Sequence, residues 1–112
     1  MKTIAIDFDG VICKYQSFGD GTITQEPNVG AQRCISKLKE EGYNIVVFTA
    51  RLDPAYGEEN VKKQKDEISK WMSKYEIPYN EITNQKPSRA IAFVDDRAIR
   101  FTNWQDIINY FL

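Results

Sequence analysis

The chain has 112 residues, of which 42% are hydrophobic and 28% are charged, and its formal net charge is −1 at pH 7. This size and composition predict one domain over residues 1–112, with a hydrophobic core and an ordinary soluble surface. Fifteen basic residues stand against sixteen acidic ones, which argues against a dedicated nucleic-acid or anionic-membrane binder, because such a protein would show a basic excess.

Strand and helix patterns alternate along the chain, with no internal repeat and no low-complexity segment. The predicted elements, in chain order, are a strand at 3–8, a helix at about 29–41, a strand at 43–49, a helix at about 58–75, short strands at 81–83 and 90–94, and a last helix. Such alternation implies βαβ units and a parallel sheet, so the predicted fold is a compact three-layer α/β domain.

Two segments between these elements have predictions of their own. Residues 12–27 are polar, and Gly19-Asp20-Gly21 within them could form the tip of a small hairpin. Thr102, with Gln105 three residues later, fits a capping box that opens the last helix. We expect the apolar side chains of that helix to face the core: Trp104, Ile107, Ile108 and Phe111.

Polar and charged residues follow several of the predicted strands. Ligands of parallel sheets bind beyond the carboxyl ends of the strands, so these side chains are predicted to converge there. Four carboxylates so close together would repel one another, and a bound divalent cation removes that repulsion. An all-oxygen set of ligands favours Mg²⁺. The residues at this edge are Asp7, Asp9, Thr49, Arg51, Lys86, Asp95 and Asp96.

Each of these residues alone has an ordinary explanation. Asp-x-Asp-Gly can be a simple turn, and Asp95-Asp96 can cap the segment that follows. Lys86 and Arg51 singly would be surface charges. Their joint occurrence, in order and at one edge of a predicted sheet, favours a phosphate-binding metal site.

The same residues resemble a known family. Asp7-Phe8-Asp9-Gly10-Val11, Thr49, Lys86 and Asp95-Asp96 are similar to the four ordered motifs of the haloacid dehalogenase (HAD) superfamily of phosphohydrolases. The resemblance covers the whole chain and is to short, capless members, similar to polynucleotide kinase phosphatase domains. It implies a Rossmann-like core with a central parallel sheet and no cap domain. Val11 stands where threonine is common in the family.

The resemblance also implies roles for individual residues. Asp7 would attack phosphorus to give an aspartyl-phosphate, and Asp9 would protonate the leaving oxygen and later deprotonate a water. Thr49 and Lys86 would complete the catalytic set. The residues expected to bind Mg²⁺ are Asp7, Asp9 (through its carbonyl), Asp95 and Asp96. The residues expected to bind substrate are Gly10, Thr49, Ala50, Arg51 and Lys86, with Arg51 as a bidentate clamp on the phosphate.

The substrate and the partners stay open at this point. The first expectation is a small phosphorylated molecule, either a sugar phosphate or a nucleotide; a 3′-phosphorylated nucleic-acid end is an alternative. Another alternative is a non-catalytic or receiver-like phosphoacceptor domain, although the acidic motifs of this chain follow a different order from those of receiver domains. A homo-oligomer could close the capless site. Tyr15, Phe18 and Tyr56 are candidates for contacting the leaving group, or are ordinary loop aromatics.

The sequence also suggests a location. Two cysteines are too few for a disulfide framework or a zinc site, which favours a reduced, cytoplasmic setting. No apolar run approaches the length of a membrane span. The first residues lead directly into a strand pattern, so we expect no signal peptide and no membrane partner.

Overall fold

The computed structural model describes the whole chain, Met1 to Leu112. Each predicted strand and helix is present, in the predicted order, with ends that differ from the prediction by at most about two residues. The elements are β1 (Thr3–Asp7), α1 (Ala31–Glu40), β2 (Asn44–Phe48), α2 (Glu58–Lys74), β3 (Glu81–Thr83), β4 (Ala90–Val94) and α3 (Trp104–Phe111), with short 3₁₀ turns at Ala50–Leu52 and Pro54–Tyr56. None of the helices has the length and apolar character needed to cross a bilayer.

The four strands form one parallel sheet in the order β3-β2-β1-β4. The central strand β1 aligns Asp7 with Phe48 at the carboxyl end of β2. No further domain is inserted between the strands. The predicted α/β core with a central parallel sheet and no cap domain is therefore confirmed.

Helices α1 and α2 pack on the same face of the sheet. Aligned residues of parallel strands share a face, so Ile4 and Ile6 of β1 point to the same side as Ile45 and Val47 of β2. That side holds the hydrophobic core, to which the helices contribute Ile35, Ile68, Trp71 and Met72. Burial of these side chains anchors β1 and β2, the two strands from which most of the candidate site residues emerge.

The second face of the sheet is crossed by a connection without a helix. Since β3 and β4 are parallel and lie at opposite edges, residues 84–89 must run back across the sheet between them. Within this connection the Lys86 ammonium lies 5.2 Å from the ring centroid of Phe48 and 5.4 Å from that of Phe93. The strand register places both rings on the face opposite the core.

The last helix does not occupy the place that its sequence pattern predicts. Trp104 is 71% exposed and Phe111 is 70% exposed, Ile108 is also exposed, and α3 makes no extensive contact with another helix or strand. The prediction that Trp104, Ile107, Ile108 and Phe111 face this chain's core is therefore wrong. An amphipathic pattern specifies one apolar face of a helix, but it does not specify the surface that covers that face.

The start of α3 and the hairpin also differ from the predictions. Asn103, not Thr102, is the N-terminal cap, because its side-chain oxygen accepts the backbone N–H of Asp106 at 2.9 Å.

Residues 12–27 form no pair of strands. Instead the Gln16 amide oxygen accepts the backbone N–H groups of Thr24 and Gln25, each at 3.0 Å. Backbone pairing is limited to the base of the loop, where Cys13 and Pro27 form an isolated antiparallel bridge and the Lys14 N–H donates to the Glu26 carbonyl at 3.0 Å.

Candidate active site

An open cleft of about 620 Å³ lies at the carboxyl edge of the sheet. The predicted site residues line it, apart from Gly10: Asp7, Asp9, Thr49, Ala50, Arg51, Lys86, Asp95 and Asp96. The expected convergence of these residues at one edge of a parallel sheet is therefore observed.

Three carboxylates meet at the floor of this cleft. Asp7, Asp95 and Asp96 each place one carboxylate oxygen within 4.8 Å of the others. Burial, together with the charges of Asp95, Asp96 and Asp9 and against a hydrogen bond with the Phe8 backbone, raises the pKa of Asp7 from 3.8 to about 6. A compact all-oxygen set with unrelieved negative charge fits a hard divalent cation such as Mg²⁺.

Gly10 makes this close approach of Asp96 possible. Its φ is +84°, in the region that glycine adopts without strain, and a Cβ atom built there would collide with the Asp96 carboxylate. Gly10 therefore contributes backbone shape and space for Asp96. The prediction that it also binds substrate stays a prediction.

Asp9 is held by Arg51 across the mouth of the cleft. Arg51 Nε donates to Asp9 Oδ2 at 2.7 Å, and Nη2 donates to Oδ1 at 3.0 Å. This bidentate pair fixes the plane of the Asp9 carboxylate and leaves one lone pair on each oxygen for another partner. The sequence predicted that Arg51 would bind a phosphate bidentately; in this structure its guanidinium instead forms this bidentate pair with Asp9.

The Arg51 guanidinium is itself buried, with only 3% of the residue exposed. Its Nη1 donates to the carbonyl of Gly21 and to the Gln64 side-chain oxygen, both at 3.1 Å. Gln64 in turn donates to the same Gly21 carbonyl at 2.9 Å. Arg51 thus connects the loop at residues 12–27 to the acidic site, while Gln64 bonds the same loop directly to α2.

Sequence reasoning missed Gln64 and the Gly21 carbonyl. Gln64 lies three residues after Val61 and four before Ile68, on the buried stripe of α2. An uncharged polar residue on an apolar helix face is a signal that could have identified it, because buried polar groups need hydrogen-bond partners. The Gly21 carbonyl is a backbone acceptor, and nothing in the sequence marks it.

Thr49 is buried at the end of β2, where it caps the turn Ala50–Leu52. Its Oγ1 accepts the backbone N–H of Arg51 at 3.1 Å. The hydroxyl proton is therefore left to donate into the cleft, because a threonine hydroxyl carries one donor besides its acceptor sites. Ala50 follows directly and is exposed on the cleft wall.

Lys86 and Asp95 form the opposite wall. Lys86 Nζ lies 3.5 Å from Asp95 Oδ2, while Asp95 Oδ1 accepts the backbone N–H of Arg97 at 2.8 Å. Lys86 remains about half exposed, which keeps its ammonium accessible to an anion in the cleft. Positive charge thus stands beside the carboxylate cluster, where a phosphate group would need it.

The aromatic candidates lie at the rim of the cleft. Phe18 and Tyr56 stack with ring centroids 4.9 Å apart and an interplanar angle of 5°. The Arg51 guanidinium lies 5.3 Å from the Phe18 centroid, within cation–π distance. Tyr15 is exposed and also lines the cleft. Phe18 and Tyr56 therefore join two loops, and Tyr15 is the freer of the three to meet a ligand.

The buried thiol near the site is unsuited to nucleophilic chemistry. Burial, with the Asp9 charge, raises the pKa of Cys13 to about 11. A thiol that stays protonated at neutral pH is a poor nucleophile and a poor metal ligand. The carboxylates are left as the candidates for covalent chemistry.

No protein-family model and no curated protein matches this sequence. Among solved structures, a structural-genomics target from Vibrio cholerae is similar, with a TM-score of 0.60 and 27% identity over 99% of this chain and 97% of that one. D,D-heptose 1,7-bisphosphate phosphatase from B. bronchiseptica, crystallised with magnesium and phosphate, matches with a TM-score of 0.52 and 18% identity over 79% of this chain and 52% of that chain. This chain therefore shares its fold with part of that phosphatase.

Proposed function

We propose that this protein is a magnesium-dependent phosphomonoester hydrolase that works through an aspartyl-phosphate on Asp7. The convergence of three carboxylates, Asp7, Asp95 and Asp96, beside an Asp9 that Arg51 holds in place, supports this proposal most directly. The fold shared with a phosphatase that was crystallised with magnesium and phosphate is consistent with it.

In the first step an Asp7 carboxylate oxygen attacks phosphorus, so that a new O–P bond forms as the ester P–O bond breaks. Asp9 donates a proton to the departing oxygen, which leaves as an alcohol. The Asp9 oxygens each keep a lone pair free of Arg51, and that side of the carboxyl group can carry the proton.

In the second step a water oxygen attacks phosphorus, the Asp7–phosphorus bond breaks, and Asp9 takes the water proton. Inorganic phosphate is released, and both carboxyl groups return to their starting state. The Thr49 hydroxyl donates to a phosphoryl oxygen, and Lys86 offsets the negative charge on phosphate and nucleophile. Thr49 directly follows β2 and Lys86 lies in the connection between β3 and β4, so the phosphoryl group would be held between two separate segments that line the cleft.

Asp7, Asp95 and Asp96 would hold Mg²⁺ through one oxygen each, with the Asp9 carbonyl as a further proposed ligand. Bound there, the ion would neutralise the carboxylates and polarise the phosphoryl oxygens. Lys86 lies against Asp95, so it limits how many oxygens of that residue are free for a cation.

We further propose that the substrate is a small phosphorylated molecule, either a sugar phosphate or a nucleotide. A 3′-phosphorylated nucleic-acid end is the alternative, and it would need a basic surface such as the lysines of α2 could provide. The same helix carries four acidic residues, Glu58, Glu59, Asp66 and Glu67, and Lys70 pairs with Asp66 at 2.9 Å. A face of mixed charge gives little sequence-independent attraction to a nucleic-acid backbone.

The test is release of phosphate from p-nitrophenyl phosphate with Mg²⁺ and with EDTA, comparing the natural protein with Asp7→Asn. We expect turnover only with Mg²⁺ and a loss of at least about 10³-fold in Asp7→Asn, because the substitution removes the nucleophile. Asp66→Asn, an exposed carboxylate on α2, is the matched control and should retain full activity. Undiminished turnover in Asp7→Asn would show that Asp7 is not the nucleophile.

The receiver-like alternative predicts a different result in the same preparation. A phosphoacceptor would accumulate a long-lived phosphoryl-Asp7 from a small phosphodonor without continuous release of phosphate. A panel of phosphorylated metabolites and 3′-phosphoryl oligonucleotides, assayed with the active protein, then separates the two proposed substrate classes. Selective hydrolysis of oligonucleotide ends would replace the small-molecule proposal.

A further inference from the structure

The C-terminal helix exposes one continuous apolar stripe. Its four large apolar residues follow the i, i+3, i+4, i+7 spacing that places side chains on one face of a helix; they are Trp104, Ile107, Ile108 and Phe111. Phe101 extends this stripe beyond the helix, since its ring packs edge-on against Trp104 with centroids 5.5 Å apart. We call this surface the α3 stripe.

Strand β4 exposes a second apolar surface. It is an edge strand, unpaired on one side; Phe93 is exposed on the sheet face opposite the core, Val94 is exposed on the core face, and Ile91 is also exposed. Its five residues include no charge and no proline, the devices by which edge strands usually avoid further pairing. The other edge is protected, because β3 has only three residues and exposes Glu81.

The size of the uncovered surface is sufficient for a stable interface. The chain exposes 7688 Å², whereas a monomer of 13.0 kDa exposes about 6,300 Å². The excess of about 1,400 Å² is larger than the roughly 800 Å² that each partner contributes to a standard interface. The radius of gyration, 15.0 Å, also exceeds the value of about 13 Å for a compact chain of this length.

We propose that two copies of this chain form a dimer by exchange of α3. Each copy places its α3 stripe on the exposed β4 surface of the other. Because every copy carries both surfaces, a single two-fold arrangement covers all four of them and leaves none free for further growth. Residues 95–103, which connect β4 to α3, span up to about 30 Å when extended, so the helix can reach a neighbouring molecule.

This dimer goes beyond the proposed function, because both of its surfaces lie outside the cleft. It also bears on the site, since Asp95, Asp96 and Arg97 directly follow β4 and begin the connection to the exchanged helix. Packing of a partner's α3 against β4 would restrain this segment.

The first test is the mass of the full chain in solution, measured by sedimentation velocity over a range of concentrations. We expect twice the 13.0 kDa chain mass, and we expect Ile108→Asp to raise the dimer dissociation constant by at least about 30-fold, because it places a charge in the buried stripe. Asn109→Asp adds the same charge on the opposite side of α3 and should leave the dimer intact.

The second test follows the environment of Trp104. In a Trp71→Phe variant, Trp104 is the sole tryptophan of the chain. We expect its fluorescence emission to be blue-shifted in the dimer, and to shift to the red when Ile108→Asp is combined with Trp71→Phe. Far-UV circular dichroism identifies variants that fail to fold, and Phe111→Asp offers an independent disruption.

Three results would overturn the proposal. A chain that stays monomeric at every concentration has no such dimer. A monomer with blue-shifted Trp104 emission would show that α3 folds back on its own chain. A dimer that withstands both Ile108→Asp and Phe111→Asp would place the interface elsewhere.

Discussion

Two parts of this molecule differ sharply in packing. All 22 buried residues lie between Thr3 and Ile82, whereas residues 84–112 contain no buried residue. We call residues 1–83 the packed region and residues 84–112 the open region. The candidate site draws on both: Asp7, Asp9, Thr49 and Arg51 come from the packed region, and Lys86, Asp95 and Asp96 come from the open region.

The difference indicates a division of labour in the proposed reaction. The groups that would make and break bonds are fixed by the core, since Asp7 ends the buried strand β1 and Asp9 is held by the buried Arg51. The groups that would balance charge stand on an edge strand and on a connection that lack such support. Preorganised electrostatic groups are more effective than mobile ones, so we expect a cation or a partner chain to fix the open region.

The largest predicted effect is on the free energy of unfolding, when a matched isoleucine-to-alanine substitution is made in each of the two regions. Ile68→Ala removes a fully buried side chain between α2 and the sheet, and we expect it to lower the free energy of unfolding by about 2–5 kcal/mol. Ile108→Ala removes an exposed side chain from α3, and in monomeric protein it should cost less than about 0.5 kcal/mol.

Urea unfolding at low protein concentration measures both effects, with circular dichroism as the probe. A concentration series then sharpens the contrast, because the cost of Ile108→Ala should grow where the chain is dimeric. Equal losses in dilute protein would mean that α3 already packs on its own chain, and the division into two regions would be wrong.

Much of the packed region was predictable because its signals are local. A buried strand such as 43–49 is recognised from its own composition. The rule extends to the open region, because acidic residues at the carboxyl ends of strands 3–8 and 90–94 must reach the same edge of a parallel sheet. The expected cluster of Asp7, Asp95 and Asp96 follows from that rule alone.

The remaining features depend on contacts between distant positions. Asp9 and Arg51 are 42 residues apart, and a sequence that places an arginine near an acidic site does not reveal whether it binds a ligand or a carboxylate. The wrong prediction for α3 has a similar origin. Its apolar face was recognised correctly, but the surface that covers such a face is fixed by topology and, as we propose, by a second molecule.

A smaller effect is predicted for the arginine that ties the packed region together. Arg51→Lys keeps the charge but loses the fork that holds both oxygens of Asp9 and the Gly21 carbonyl. We expect a loss of about 2–3 kcal/mol in the free energy of unfolding, because buried acceptors lose their donors. Arg33→Lys, an exposed arginine of α1, is the control and should be neutral.

The double variant Asp9→Asn with Arg51→Lys tests whether the loss comes from this pair. If it does, the two single losses should not add, because both remove the same interaction. Fully additive losses would show that Arg51 stabilises the chain through Gly21 and Gln64 alone, and that Asp9 is not held by it in solution.

The smallest predicted effect joins the two regions through their shared charge. Without metal, the pKa of folded Asp7 is about 6, against an ordinary value of 3.8. Between these values the folded chain binds more protons than the unfolded chain, so the free energy of unfolding falls as pH rises. This loss of unfolding free energy is complete above pH 6. Allowing for solvent screening, it amounts to about 1–2 kcal/mol.

Asp7→Asn in EDTA should therefore be more stable than the natural protein at pH 7 and close to it at pH 4, as thermal unfolding at both pH values would show. Mg²⁺ should stabilise the natural protein and have little effect on Asp7→Asn, because the cation needs the carboxylate that the substitution removes. If Asp7→Asn were no more stable at pH 7, the Asp7 carboxylate would be better solvated in solution than its burial and the neighbouring Asp95 and Asp96 make it in this structure.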